Sequence, residues 1–322
     1  MSSPFGPMQV IVNPRAGGGA VERGWSAIRD VIEGEGLEYE VSFTEDAGHA
    51  TVLAHDAVRA GGRYVVAVGG DGTVHEVVNG MMGDDGPLDP EAVLGVVAAG
   101  SGGDFVRTFG MSQRPGEAAQ HLGGKTLWGR LDIGRVRFRD PSGEEASRWF
   151  VNIAEAGIGA NVVLAAAKMT RRLGGRAYRL AALRGVMTYR AQEALVVMNG
   201  RAARGVRRDA PLEEIKWAGE VTMLVVANCQ FFGGGLRVAP RAIPSDAMLD
   251  VLIGHGTKMQ AVRALKRMPR GEHVPDDTIA EYLADHVRVE GTEPLPLEAD
   301  GEFLGTTPAT FELAVGAIPL KI

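Results

Sequence analysis

The sequence has little of what marks a secreted, membrane-spanning or nucleic-acid-binding protein. Its single cysteine, Cys229, excludes an internal disulfide and a cysteine metal cluster. Its apolar runs are far shorter than the roughly 20 residues that cross a bilayer, and residues 1–12 lack the pattern of a signal peptide. The net charge of −6 lacks the basic surplus of nucleic-acid-binding proteins. We therefore expect a cytoplasmic protein with no transmembrane segment and no nucleic-acid partner.

Glycine, in contrast, is abundant, with 45 residues among 322. The excess is clustered at residues 17–19, 69–72, 100–103 and 233–235, so it marks special loops rather than a low-complexity tract. A chain of this length exceeds the usual size of one domain, and we expect two packed domains.

The first third of the chain alternates strand-like and helix-like segments. Residues 64–68 and 93–98 are apolar runs that end at glycine or just before it, as buried parallel strands do. This pattern predicts a Rossmann-like α/β nucleotide-binding domain over residues 1–127. Ligands of such sheets lie at the carboxyl ends of the strands.

From residue 128 onward the pattern changes to short strands joined mostly by turns, with helices only near 162–194 and 258–268. It predicts a β-rich, sandwich-like domain over residues 128–322, whose last residues could pack back on the first domain. The active site is expected in the cleft between the domains. An exposed strand of the second domain could pair across a homodimer.

The strongest motif is Gly69-Gly70-Asp71-Gly72-Thr73, between a predicted strand and a predicted helix. Glycines let the backbone approach a polyphosphate, and a helix N-terminus supplies free N–H groups. Thr73 can cap the helix or donate to a phosphate. Asp71 beside phosphate makes sense if it meets Mg²⁺ or a reacting hydroxyl. The alternative is an ordinary turn with an Asp cap, although a cap does not require glycine on both sides.

Two further glycine-containing loops follow predicted strands at the same edge of the sheet. Asn13 can contact a phosphate or fix the turn, and Arg15 is a candidate counter-charge for phosphate; an Asn-Pro turn with a flexible loop is the alternative. The second loop is a weak motif when taken alone. The candidate nucleotide-binding residues are Asn13, Pro14, Arg15 and Gly17 in one loop and Gly100, Ser101, Gly102 and Asp104 in the other.

Late in the chain, Asp300 and Glu302 flank Gly301. In an extended strand this spacing puts both carboxylates on one side. One could then act as a general base on a hydroxyl, with the other orienting it or helping to hold Mg²⁺. The alternative is a solvated Asp-Gly-Glu turn. His75, on the helix after the glycine loop, is expected only to pack or cap.

Residues 69–80, with the sequence GGDGTVHEVVNG, resemble the signature of diacylglycerol, sphingosine and ceramide kinases and their bacterial lipid-kinase relatives. Residues 12–19, 100–105 and 300–302 resemble further motifs of that family in the same order and spacing. The resemblance spans nearly the whole chain. It implies a kinase that uses ATP and Mg²⁺ to phosphorylate a hydroxyl of a membrane lipid, most nearly diacylglycerol.

The resemblance also implies roles for single residues. In bacterial members the Asp of the late motif, here Asp300, is the base. In the sphingosine-kinase branch that role is more often given to the Asp of the glycine loop, here Asp71. We favour Asp300 assisted by Glu302, and expect Asp71 and Asp104 to organise the nucleotide and Mg²⁺.

Three features outside these roles bear on metal, nucleotide and membrane. The resemblance implies that Asp246 binds a structural Mg²⁺, the alternative being a plain capping Asp. Gly103 stands where relatives usually have Asn, which could change nucleotide affinity. Residues 168–190 carry seven basic and no acidic residues, interleaved with apolar ones. That segment suits docking on anionic headgroups, or a solvated helix face.

Two other functions remain open on the sequence. An NAD kinase-like or phosphofructokinase-like enzyme could share the glycine loop but would need a dinucleotide or sugar-phosphate site. A catalytically silent lipid- or nucleotide-binding regulator is supported only by Gly103.

Overall fold

The structure, a computed structural model, describes residues 3–99, 102–173 and 188–322; the side chains of residue 115 and of residues 166–173 are not described. Gly100 and Ser101 of the predicted second loop therefore lie outside the described residues, as does most of the basic segment 168–190.

The first domain is a parallel sheet with helices on its faces. Its strand order is β6-β3-β1-β2, and every pairing among these strands is parallel. Its elements are β1 (Met8–Val12), α1 (Ala16–Gly34), β2 (Tyr39–Phe43), α2 (His49–Arg59), β3 (Tyr64–Gly69), α3 (Asp71–Met81), β4 (Met82–Gly83), β5 (Gly86–Pro87), β6 (Val93–Ala98), α4 (Asp104–Thr108) and α5 (Pro115–Ala119).

Both faces of this sheet are buried, which explains its apolar strands. Along β3, Val65 and Ala67 contribute to one hydrophobic cluster, whereas Val66 and Val68 contribute to the cluster on the opposite face. Successive side chains of a strand alternate between faces, so a strand covered on both sides must be apolar throughout.

The second domain is an antiparallel sandwich. Its elements are β7 (Leu127–Arg139), β8 (Glu145–Phe150), β9 (Ile153–Gly157), α6 (Ile158–Leu173), β10 (Gln192–Ala202), β11 (Glu213–Val221), β12 (Met223–Ala227), β13 (Leu249–Gly254), α7 (Lys258–Arg267), β14 (Ile279–Gly291), β15 (Pro296–Ala299) and β16 (Glu302–Lys321). Inward-facing residues such as Phe150, Val226, Leu297 and Phe311 form its core. The predicted fold class, α/β followed by a β-sandwich, is confirmed.

One sheet runs through both domains. The long strands β7 and β16 pair with each other, and the end of β16 pairs in parallel with β6 through Leu320 and Leu94. The predicted boundary at 127/128 falls at the start of β7. The last residues of the chain thus pack against the first domain.

Among the described residues, no helix combines the length and the apolar character needed to cross a bilayer.

A glycine inside β7 is required by close packing against an aromatic ring. A Cβ at Gly134 would lie 2.2 Å from Cζ of the fully buried Phe150. We expect Gly134→Ala to lower the free energy of unfolding by about 1–3 kcal/mol, because a packed core resists added volume. Denaturant unfolding measures this. The matched control is Gly116→Ala in α5, where a Cβ meets nothing within 4 Å; equal effects of both variants would contradict the packing.

Candidate active site

The glycine loop links β3 to α3 at the carboxyl end of the parallel sheet. A Cβ at Gly69 would lie 2.3 Å from Thr73 Oγ1, so only glycine fits at the end of β3. Thr73 Oγ1 accepts a hydrogen bond from Asn13 Nδ2 at 3.1 Å. The loops that follow β1 and β3 are therefore tied together at the sheet edge where ligands of such folds bind.

The first loop is shaped by its backbone rather than by its charged residue. Asn13 Oδ1 accepts the Arg15 N–H at 3.1 Å, which closes the turn around Pro14. Three successive glycines, Gly17 to Gly19, have φ of 61°, 64° and 81°, a left-handed path that favours glycine. The Arg15 side chain is 77% exposed and lies 3.8 Å from Asp46, so it is free to turn toward an anion.

Asp71 and Asp104 converge over Gly102. A Cβ at Gly102 would lie 2.6 Å from Asp71 Oδ2 and 3.9 Å from Asp104 Oδ2, so glycine leaves open the space between the two carboxylates. Burial raises the pKa of Asp104, and the negative charge of Asp71 raises it further. Hard carboxylate oxygens with unfavourable mutual repulsion are suited to Mg²⁺, and the metal role of these two residues stays a prediction.

A loop of the second domain also reaches Asp104, a contact that the sequence did not predict. The N–H groups of Gly234 and Gly235 donate to Asp104 Oδ2 and Oδ1 at 2.8 and 2.7 Å. At Gly103, a Cβ would lie 2.7 Å from Cδ of Gln113. The amide of Gln113 therefore fills the space that an Asn side chain at position 103 would enter.

The geometry expected for Asp300 and Glu302 is wrong. Asp300 and Gly301 are not part of an extended strand but form the two-residue turn between β15 and β16, with φ of 49° and 89°. Positive φ at both positions is the type I′ form of a two-residue hairpin, for which Asp-Gly is a favoured pair. Gly301 is exposed, but the Asp300 side chain is completely buried, so its carboxylate is not solvated.

The Asp300 carboxylate is surrounded by donors. The N–H of Val151 donates to Oδ2 at 2.8 Å, and those of Asn152 and Ile153 donate to Oδ1 at 2.9 and 3.0 Å. These N–H groups point at Asp300 because the chain breaks its ladder between β8 and β9. His75 Nδ1 lies 2.9 Å from Oδ2 and occupies the fourth lone pair.

His75 joins the two late carboxylates, and the expectation that it only packs or caps is wrong. Its Nδ1 faces Asp300, and its Nε2 lies 3.5 Å from Glu302 Oε2. Although burial alone would lower it, the pKa of His75 is raised to about 9 by its hydrogen bonds to Asp300 and Glu302 and by their charges. Glu302 is the exposed member of the three, with 42% of its side chain accessible to solvent.

An apolar cavity of about 570 Å³ lies in the second domain, between α6, α7 and one face of β9, β12 and β13. Among the described residues that line it, Glu155 carries the one ionisable group. Burial raises the pKa of Glu155 to about 7. Glu155 pairs across strands with Glu298, whose Oε2 accepts the Gly301 N–H at 2.7 Å. Neither glutamate belongs to a motif, so sequence reasoning did not single them out.

The predicted structural metal site at Asp246 has a different cation beside it. Nε of Arg208 donates to Asp246 Oδ2 at 2.6 Å. Nη2 of Arg208 also contacts that oxygen and lies 3.6 Å from Asp250 Oδ2. In the described part of the chain no group of three or more acidic, His or Cys side chains is arranged to hold a metal. The Arg208 guanidinium thus places a positive charge beside Asp246, where it competes with the metal predicted there.

Comparison with known proteins gives matches over both domains. Residues 7–136 match the model of the diacylglycerol kinase catalytic domain, and residues 152–321 match that of the YegS C-terminal NAD kinase beta sandwich-like domain. A diacylglycerol kinase of Bacillus subtilis (strain 168) is 28% identical over 94% of this chain and 92% of its own length. A probable YegS-like lipid kinase of Chromohalobacter salexigens is 31% identical over 83% of this chain and 78% of its own length.

The fold recurs in solved structures from Bacillus anthracis. One superposes with a TM-score of 0.75 at 22% identity, covering 99% of this chain and 98% of that one. Another, a diacylglycerol kinase, superposes with a TM-score of 0.70 at 18% identity, covering 99% of this chain and 97% of that one.

Replacing His75 with Gln should remove a pH-dependent part of the stability. The folded-state pKa of about 9 lies above the usual 6.5, so the ion pairs stabilise fully below pH 6.5 and are lost as pH rises through 9. This difference corresponds to on the order of 3 kcal/mol. Urea unfolding across that range should show a decline in the wild type that His75→Gln lacks. His55→Gln, on the exposed surface of α2, should keep the wild-type decline; a flat wild-type profile would contradict the ion pairs.

Stability of the second domain should not depend on divalent cations. We expect the same Tm with Mg²⁺ or with a chelator in the absence of nucleotide. Arg208→Met should lower the free energy of unfolding by on the order of 2 kcal/mol, because it leaves Asp246 and Asp250 unpaired, and Mg²⁺ should partly restore it. Arg207→Met, which removes an exposed pair with Asp209, is the matched control. A wild-type Tm that falls on chelation would mean that a metal, not Arg208, holds this site.

Proposed function

The chain belongs to the family of diacylglycerol kinases and YegS-like lipid kinases, and from this premise we propose that it transfers the γ-phosphate of ATP to a hydroxyl of a membrane lipid. The proposed acceptor is diacylglycerol-like, and the reaction depends on Mg²⁺. The observation that carries the proposal is that α3 connects two acidic clusters, because Asp71 begins this helix and His75, one turn later, contacts the carboxylates of the second domain. Asp71 and Asp104 come from the first domain, and Asp300 and Glu302 from the second.

The nucleotide is proposed to lie on the loops after β1, β3 and β6. The tied loops of Asn13 and Thr73, the N-terminus of α3 and the open space at Gly102 offer N–H groups and room for phosphates. Mg²⁺ held by Asp71 and Asp104 would neutralise charge on the transferred phosphate. Gly100 and Ser101 remain proposed contacts on sequence grounds alone.

The proton of the acceptor hydroxyl is proposed to pass to the cluster of Asp300, His75 and Glu302. Asp300 has its four lone pairs engaged, so it anchors His75 and orders the turn. His75, which is charged at neutral pH, contacts the Glu302 carboxylate through Nε2 and stabilises its negative charge. Glu302 is the exposed member and is the group that can accept the proton directly. Asp300 is thus required to position His75, although Glu302 is the residue that accepts the proton.

The apolar cavity supports a lipid over a dinucleotide or sugar phosphate. Its volume of about 570 Å³ is within the range of roughly 300–1,000 Å³ typical of ligand pockets, and its lining includes Ile158, Val162, Phe232 and Leu236. Such a surface stabilises a hydrocarbon chain and offers little to a phosphate-bearing second substrate.

Transfer of labelled γ-phosphate to a panel of lipids in mixed micelles tests the function. We expect a labelled lipid with Mg²⁺ and ATP, and a loss of about 10²–10⁴-fold in kcat for Glu302→Gln. Asp300→Asn should lose at least as much, because its amide cannot hold His75 in the same way. Glu272→Gln, an exposed carboxylate away from the cleft, is the control and should be fully active.

Three outcomes would contradict parts of this assignment. Full activity of Glu302→Gln and Asp300→Asn would move the base to Asp71. Labelling of NAD or a sugar phosphate but of no lipid would overturn the lipid assignment. No transfer to any acceptor would favour a regulator that binds without reacting.

A further inference from the structure

Helix α7 exposes a face that is both apolar and basic. None of its residues is buried, and Met259, Val262 and Leu265 are 64%, 36% and 43% exposed. Met259, Val262, Arg263 and Lys266 are spaced i, i+3, i+4 and i+7, so they share one side of the helix. We call these four residues the α7 outer face.

The other side of α7 covers the apolar cavity. Ala261 and Ala264 line the cavity, as do Val262 and Leu265 at the edge of the helix. The N-terminus of the helix is fixed by a capping box between Thr257 and Gln260, so the helix is held in place at that end. The outer face and the cavity therefore lie on opposite sides of one well-defined helix, with Val262 at the edge between them.

We propose that the α7 outer face docks on an anionic lipid surface and brings the cavity to the membrane. α7 carries four basic residues and no acidic one in a chain whose net charge is −6, so its local charge is opposite to that of the whole protein. Apolar side chains interleaved with Lys and Arg are what interfacial helices present to anionic headgroups. The docking surface is distinct from residues 168–190.

The link between docking and the cavity depends on the proposed lipid kinase activity, but docking itself does not. A lipid drawn from the bilayer would pass the edge of α7 at Val262 and Leu265 and reach the cavity without crossing water. This path keeps the hydrocarbon chain in apolar surroundings throughout.

Sedimentation with vesicles, without nucleotide, tests the proposal. The protein should bind vesicles of phosphatidylcholine with phosphatidylglycerol added, bind phosphatidylcholine alone more weakly, and be released by salt. Arg263→Gln with Lys266→Gln should weaken binding to the anionic vesicles by about tenfold or more. Met259→Asp should also weaken it. Val315→Asp on β16 is the matched control, because Val315 is 63% exposed and lies outside α7.

Equal binding to both kinds of vesicle, or equal losses for Met259→Asp and Val315→Asp, would overturn the proposal. So would a dimer that Met259→Asp converts to a monomer without any vesicle binding, since the outer face would then contact a second copy. Phosphorylation of micellar lipid without vesicle binding would overturn docking alone. Vesicle binding through α7 without phosphate transfer would retain docking and overturn the kinase function.

Discussion

The site depends on one interaction, that of the buried Asp300 carboxylate with the donors around it. It accepts three successive N–H groups where β8 gives way to β9, and it faces His75 from α3 of the other domain. An uncompensated charge inside a protein is costly, and four donors supply the compensation. The same contact therefore orders the hairpin turn, holds the two domains together and orients His75 toward Glu302.

Much of the architecture could be predicted because it follows from local periodicity. The parallel strands of the first domain are apolar throughout and end at glycines, and the glycine loop stands where β3 meets α3. The second domain was harder to predict in detail. Residues 192–194 were expected in a helix but begin β10, because Gln192, Glu193 and Ala194 lie on an alternating strand whose burial depends on β14 and β11. Such pairing joins residues far apart in sequence.

Sequence reasoning was least informative for side chains whose partners lie far away along the chain. The spacing of Asp300 and Glu302 suggested one face of a strand, yet the Asp-Gly turn rotates Asp300 inward. His75 resembled a packing residue until the turn brought two carboxylates to its ring. Asp246 matched a metal position by motif, and Arg208, far from it in sequence, donates a hydrogen bond to it. In each case the motif identified the residue, and only the tertiary contact identified what it does.

The loop of residues 232–235 has a consequence for the order of events in the cleft. Its glycines donate to Asp104 on the nucleotide side, and Phe232 and Gly233 line the apolar cavity. One short segment therefore belongs to both sites. A shift of this loop on filling one site can change affinity at the other, and linkage then requires the same factor in both directions. The proposed nucleotide and lipid would in that way change each other's affinity through the backbone of these four residues.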